Sequence, residues 1–242
     1  MIHTEEIAQG RVQGHIAHAE RPRGGVLILP TITAIDAPMK DCARILAEAG
    51  FTAIVWNPYP GESPPPTVDA AYPRAAKLND GSLDSMMDCV THLTGKLGLP
   101  SVAVMGFCLG GRYAALLAAK DTRLATCVAY YPSIRVPMSP NQTLDAIALA
   151  AEIPCPVHLI HGTADQVFVQ PVFETLRAVL EKRSVATLVQ VHPGAVHSFM
   201  RPDLQKSSLA NARAAGLSWP PVVAHLENCL AGAPAAAEKI PA

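Results

Sequence analysis

Short apolar runs alternate with helical stretches along most of the chain. Gly25-Val-Leu-Ile-Leu-Pro30, Phe51-Thr-Ala-Ile-Val-Trp56 and Ser101-Val-Ala-Val-Met-Gly106 are apolar at nearly every position, not at every second one. Ala125-Thr-Cys-Val-Ala-Tyr130, Pro156-Val-His-Leu-Ile-His161 and Ala186-Thr-Leu-Val-Gln-Val191 read the same way. Continuous apolarity of this length predicts strands buried on both faces, as in a parallel sheet covered by helices. The segment Val12 to His18 predicts an antiparallel edge strand or hairpin.

Helical patterns fill the gaps. Asp36 is placed to cap a helix that begins near Pro38 and ends at Gly50, with Met39, Cys42, Ile45 and Leu46 as its inward stripe. Further helices are predicted from Leu83 to Leu97, from Gly111 through Ala119 and from Pro171 to Glu181, the last carrying Val172, Leu176, Val179 and Leu180. Strand and helix in alternation define an α/β fold with a mostly parallel sheet and helices on both faces. Two proline-rich stretches, Pro58 to Pro73 and Val136 to Leu144, predict loops, and loops at such places line the ligand cleft of this architecture. No repeat or second domain is evident over 1–242, and the Ala/Pro-rich tail, 231–242, predicts fraying.

Composition narrows the function. Half the residues are hydrophobic and 16% are charged, as in a compact globular protein. The net charge of −1 and the lack of a basic run argue against nucleic acid or an anionic membrane as partner. No apolar run reaches the roughly 20 residues of a transmembrane helix, and Met1 to Gly10 lacks the apolar core of a secretory signal. Six cysteines (Cys42, Cys89, Cys108, Cys127, Cys155 and Cys229) show neither paired nor metal-type spacing, so reduced thiols in a cytoplasmic protein are expected.

One cysteine stands apart. Gly106-Phe-Cys-Leu-Gly110 follows an apolar strand and precedes a helix-forming run, the pattern of a nucleophile elbow with Cys108 in place of the commoner serine. A strained strand-to-helix turn needs glycine on both sides of the nucleophile, and the following helix favours a thiolate at its N-terminus. The Leu109 amide then falls where an oxyanion would develop. A tight turn around a packed cysteine is the alternative.

His161-Gly-Thr-Ala-Asp165 and His192-Pro-Gly-Ala-Val-His197 each follow a strand, so Asp165 and His197 belong at the same sheet edge as Cys108. An Asp closing a turn and a surface histidine are the bland readings of each. Nucleophile, acid and histidine nevertheless occur in the chain order of α/β-hydrolases. His15, His18, His158, His161 and His192 offer no compact metal-ligand spacing, and no phosphate-binding glycine loop is present; neither metal nor cofactor is expected.

With these motifs the chain resembles the dienelactone hydrolase, or carboxymethylenebutenolidase, family. The matching pieces are Gly106-Phe-Cys-Leu-Gly-Gly-Arg112, His161-Gly-Thr-Ala-Asp165, His197-Ser-Phe-Met-Arg201 and Asp41-Cys-Ala-Arg-Ile-Leu-Ala-Glu-Ala-Gly-Phe51. The resemblance implies an α/β-hydrolase fold and a Cys-His-Asp triad that cleaves a small activated cyclic ester bearing a carboxylate. Cys108 would be the nucleophile, His197 the base and then acid, and Asp165 the orienter of His197. The amides of Ile32 and Leu109 would form the oxyanion hole. Arg201 would grip the substrate carboxylate, and Thr31, Phe199 and Arg74 would complete the substrate-contacting set. The family typically has glutamate where this chain has Thr31, and often aspartate where it has Asn57. A monomer is the family-like default, with a dimer left open.

Two other classes compete with this reading. A carboxylesterase or thioesterase of different scope would use the same triad. A non-catalytic ligand binder or a thiol redox sensor would use the fold without the cycle.

Overall fold

The computed structural model describes residues 2–230; the fraying expected of 231–242 lies outside them. The strands are β1 (His3–Gln9), β2 (Val12–His18), β3 (Gly24–Leu29), β4 (Phe51–Trp56), β5 (Val102–Phe107), β6 (Leu124–Tyr130), β7 (Val157–Gly162) and β8 (Thr187–His192). The helices are α1 (Ala37–Glu48), α2 (Val68–Ala75), α3 (Leu83–Thr91), α4 (Leu109–Lys120), α5 (Ala146–Ala150), α6 (Gln170–Glu181), α7 (Pro202–Ser207) and α8 (Leu209–Leu230).

All eight strands form one sheet in the order β1-β2-β4-β3-β5-β6-β7-β8. From β4 to β8 every pairing is parallel, whereas β1 and β2 make an antiparallel hairpin added to β4. The open edge at that end is therefore β1, and β2 lies inside the sheet. Strands β3, β4, β5 and β7 are buried at every residue, as their continuous apolarity requires. Strand β8 departs from expectation: it is the other sheet edge, only His192 in it is buried, and Leu188 and Val191 are exposed.

Asp36 caps α1 by accepting from the Met39 amide at 3.1 Å. Met39, Cys42 and Leu46 face the core together with Ala43 and Ala47; Ile45 points outward, 38% exposed. The stripe thus runs through the alanines, which are small enough to bring α1 close to the sheet. The helix predicted to end at Leu97 closes with a widened turn over His92–Lys96, where the Leu97 amide reaches back to the His92 carbonyl.

The loop expected from Pro58 to Pro73 is one only in its first half. Thr67 caps α2, a short helix that carries the exposed Pro73 in its last turn. Residues 136–144 are indeed without regular structure. Helix α8 carries Pro220 and Pro221 yet continues for 22 residues; it packs against the sheet through Val222, Leu226 and Leu230. No described helix is long and apolar enough to cross a membrane.

Candidate active site

The site is built at the C-terminal ends of the parallel strands, where β5, β7 and β8 run out into turns. After β5 the chain turns directly into α4, with Cys108 between them at φ 55°, ψ −114°. Such a conformation costs a non-glycine residue about 1–3 kcal/mol. The surroundings hold it in place. The Cys108 amide donates to the Tyr130 carbonyl at 3.1 Å, and its carbonyl accepts from Ser133, Gly111 and Arg112. A Cβ on Gly106 would overlap the Gly110 carbonyl, and one on Gly110 would overlap the Leu29 carbonyl. Both glycines are therefore dictated by backbone contact.

Asp165 follows β7 and is 4% exposed. Its Oδ1 accepts from the amides of Val167 at 2.7 Å and Phe168 at 2.8 Å. Its Oδ2 lies 2.8 Å from His197 Nδ1. The turns bearing Asp165 and His197 are laced together: the Thr163 amide donates to the His192 carbonyl and the Ala164 amide to the Ala195 carbonyl. Thr163 Oγ1 accepts from the Gly194 amide. Gly162 permits that approach, since a Cβ there would strike the Ala195 carbonyl.

His197 Nε2 is buried with no hydrogen-bond partner. Burial works against the imidazolium, but the charge of Cys108 and the hydrogen bond with Asp165 outweigh it, lifting the His197 pKa to about 10. Tyr131 lies edge-on to the ring at 5.3 Å and limits its tilt. Cys108 and His197 thus line one cavity, and Asp165 holds the ring by its other nitrogen.

Cys108 and His197 open onto a cavity of about 250 Å³, lined also by Thr31, Ile32, Ser133, Arg135, Tyr72 and Arg201. Among the described residues no carbonyl accepts from the amides of Ile32 or Leu109, which leaves both donors available. Tyr59 Oη donates to the Ile32 carbonyl at 3.1 Å and so steadies that turn.

The remaining expected substrate contacts divide. Arg201 reaches the cavity, but its guanidinium forms a fork on Asp203 at 2.8 and 3.1 Å. Phe199 is fully buried, packed edge-on against Tyr131, and is a support beneath the cavity and not part of its wall. Arg74 is likewise absent from the wall: it pairs with Glu62 and donates to the Ser63 carbonyl. The cation that sequence reasoning missed is Arg135, exposed in the wall and without an ion-pair partner among the described residues. It lies at the mouth of the loop whose prolines marked it as cleft-lining.

Arg112, four residues after Cys108, is buried and forks onto Asp80 at 2.6 and 3.1 Å. Asp80 Oδ2 also accepts from the amides of Thr143 and Leu144. Burial pushes the Asp80 pKa up, but Arg112 and these amides hold it below the ordinary value. The pair ties α4 to the loops on either side of the cavity. Nothing in the sequence linked residues 32 positions apart.

A profile of the Dienelactone hydrolase family matches residues 12–230. The chain belongs to that family. A carboxymethylenebutenolidase of Rhodococcus opacus is 26% identical, the alignment covering 88% of this chain and 85% of the relative. A protein of Escherichia coli strain K12, provisionally assigned as a carboxymethylenebutenolidase, is 26% identical over 83% of this chain and 78% of its own length. Among solved structures, a provisionally assigned dienelactone hydrolase from Klebsiella pneumoniae subsp. pneumoniae superposes with a TM-score of 0.78, covering 93% of this chain and 98% of that one. At 24% identity this last likeness speaks to the fold. The α/β-hydrolase fold expected from the motifs is thus the fold observed, and membership makes the chain an ester or lactone hydrolase acting on a small molecule.

Proposed function

We propose that the chain hydrolyses small activated esters or enol lactones through a Cys108-His197-Asp165 triad and a thioester intermediate. The observation that carries this reading is that His197 shares a cavity wall with Cys108 while its Nδ1 is fixed at 2.8 Å by the buried carboxylate of Asp165.

In the proposed cycle, Cys108 Sγ attacks the acyl carbon and the carbonyl π pair moves onto oxygen, between the amides of Ile32 and Leu109. Collapse breaks the bond to the leaving oxygen, which takes the proton from His197 Nε2. Water then gives a proton to His197 Nε2 as its oxygen attacks the thioester. The second intermediate expels the Cys108 thiolate and releases the acid. Asp165 keeps Nδ1 protonated throughout.

The nucleophile restricts the substrate. A thiolate leaves a tetrahedral intermediate more readily than an alkoxide does, so ordinary alkyl esters return to starting material. An enol, aryl or thiol leaving group shifts the partition forward. Arg135 and Arg201 in the wall favour a substrate that also carries a carboxylate.

The test is hydrolysis of p-nitrophenyl acetate and of cis- and trans-dienelactone by wild type and Cys108→Ala. Turnover by wild type and its loss in the variant is the expected result. Equal activity in both would remove Cys108 from the mechanism.

A further inference from the structure

Thr31 lines the same cavity as Cys108 and heads a short chain of polar groups. Thr33 Oγ1 donates to Asp36 Oδ2 at 2.7 Å, and Thr31 Oγ1 lies 2.7 Å from Thr33 Oγ1. A hydroxyl has one proton, and an ionised carboxylate only accepts. The proton of Thr33 is committed to Asp36, so the bond between the two hydroxyls is donated by Thr31. Thr31 Oγ1 also accepts from the Thr33 amide at 3.2 Å. What remains on Thr31 is a lone pair and no proton.

We propose that Thr31 is a specificity-determining residue that can only accept a hydrogen bond from a bound ligand, its polarity set by Asp36 through Thr33. The inference rests on the reading of Cys108 as nucleophile and narrows its substrate. The group lying against Thr31 carries a donor, an alcohol O–H or an amide N–H. A substrate carboxylate belongs against the arginines instead, because at Thr31 it would meet a lone pair with no proton between.

The polarity can be reversed without disturbing the helix. Asp36 Oδ1 accepts from the Met39 amide, and asparagine caps a helix about as well as aspartate. In Asp36→Asn the amide oxygen keeps the cap, which turns the NH2 group toward Thr33. Thr33 then accepts from Asn and donates to Thr31, and Thr31 is left with a proton for the cavity.

Iodoacetamide and iodoacetate attack the same thiol with tails of opposite character, one a donor, the other an acceptor only. We would measure the modification rate of the Cys108 peptide by each reagent in four proteins: wild type, Asp36→Asn, Thr31→Val and the double variant. Changes in thiol ionisation act on both reagents alike and cancel in the rate ratio. The expected result is that Asp36→Asn shifts the ratio toward iodoacetate by about fivefold, the size of one hydrogen bond, and by much less in the Thr31→Val background. Loss of the Asp36 charge favours iodoacetate in both backgrounds, so the difference between them reports the hydroxyl alone. An equal shift in both backgrounds, or none in either, overturns the proposal. The assay needs an accessible thiol and no turnover. Persistent hydrolysis by Cys108→Ala would therefore defeat the proposed function while leaving this measurement intact.

Discussion

Asp165 and His197 are 32 positions apart in sequence and joined by one 2.8 Å contact, with the other carboxylate oxygen occupied by two backbone amides. That division of labour makes Asp165→Asn informative. The amide oxygen must serve Val167 and Phe168, so the NH2 group faces His197 Nδ1 and demands an acceptor there. The proton moves to Nε2, and the imidazole can no longer accept one from water. We expect kcat to fall by about three to four orders of magnitude, with a lower melting temperature at neutral pH because the His197 imidazolium loses its charged partner. Steady-state kinetics beside a thermal melt checks this.

The His197 titration reports on Cys108. With its pKa raised to about 10, the wild-type imidazolium persists through neutral pH. The sign follows: this raised pKa stabilises the fold below about pH 6.5, and the contribution fades as pH rises through 10. In Cys108→Ala the largest upward influence is gone while burial still opposes charge, so the pKa falls. NMR titration of the ring in both proteins measures the drop; an unchanged value would mean that thiol and imidazole are not coupled.

Gly110→Ala would drive a methyl group into the Leu29 carbonyl, where no side chain can yield. Relief requires α4 to lift from β3 and β5 together. A loss above about 3 kcal/mol is expected, read as a collapse of the melting temperature. Gly216 meets nothing within 4 Å, so Gly216→Ala on the same scale is the benign control.

The Arg112–Asp80 pair predicts an asymmetric mutational pattern. Asp80→Ala leaves a buried guanidinium uncompensated and costs about 3–5 kcal/mol. Because the Asp80 pKa is lowered, its contribution is present above the unfolded carboxylate value and disappears as pH falls through the folded one. The melting temperature of wild type should therefore drop more steeply with acid than that of Asp80→Asn.

Arg135 and Arg201 should separate in their effect on a carboxylate-bearing lactone. Arg201 already forks onto Asp203, whereas Arg135 has no ion-pair partner among the described residues. Arg135→Ala is expected to raise KM for dienelactone about tenfold or more, the scale of one charge-assisted hydrogen bond, with a smaller effect from Arg201→Ala. p-Nitrophenyl acetate, which carries no carboxylate, should hardly distinguish them.

Much of this was legible in the sequence because the signals were backbone-driven. Continuous apolar strands imply a covered parallel sheet, and Gly106 and Gly110 flank a turn that tolerates no Cβ. Asp36 announced its helix, and the order of Cys108, Asp165 and His197 placed them at one sheet edge. The misses have the opposite character. Whether Ala186 to Val191 is central or at the edge depends on strand order, which local apolarity does not encode. Arg74 and Phe199 were assigned by position, yet a neighbouring glutamate captured one and core packing the other. Arg135 and Asp80 act through loop geometry that no periodicity reports.

Asp36 shows how tightly such a fold can bind two traits together. One of its oxygens begins α1 and the other ends the hydroxyl chain that starts at Thr31. At most helix starts Asp, Asn and Ser exchange at little cost, and drift among them is free. Here the exchange of Asp for Asn would reverse what the cavity accepts while keeping the helix cap. A change in substrate range could thus arise from a substitution that stability screens score as neutral, at a residue outside the cavity wall.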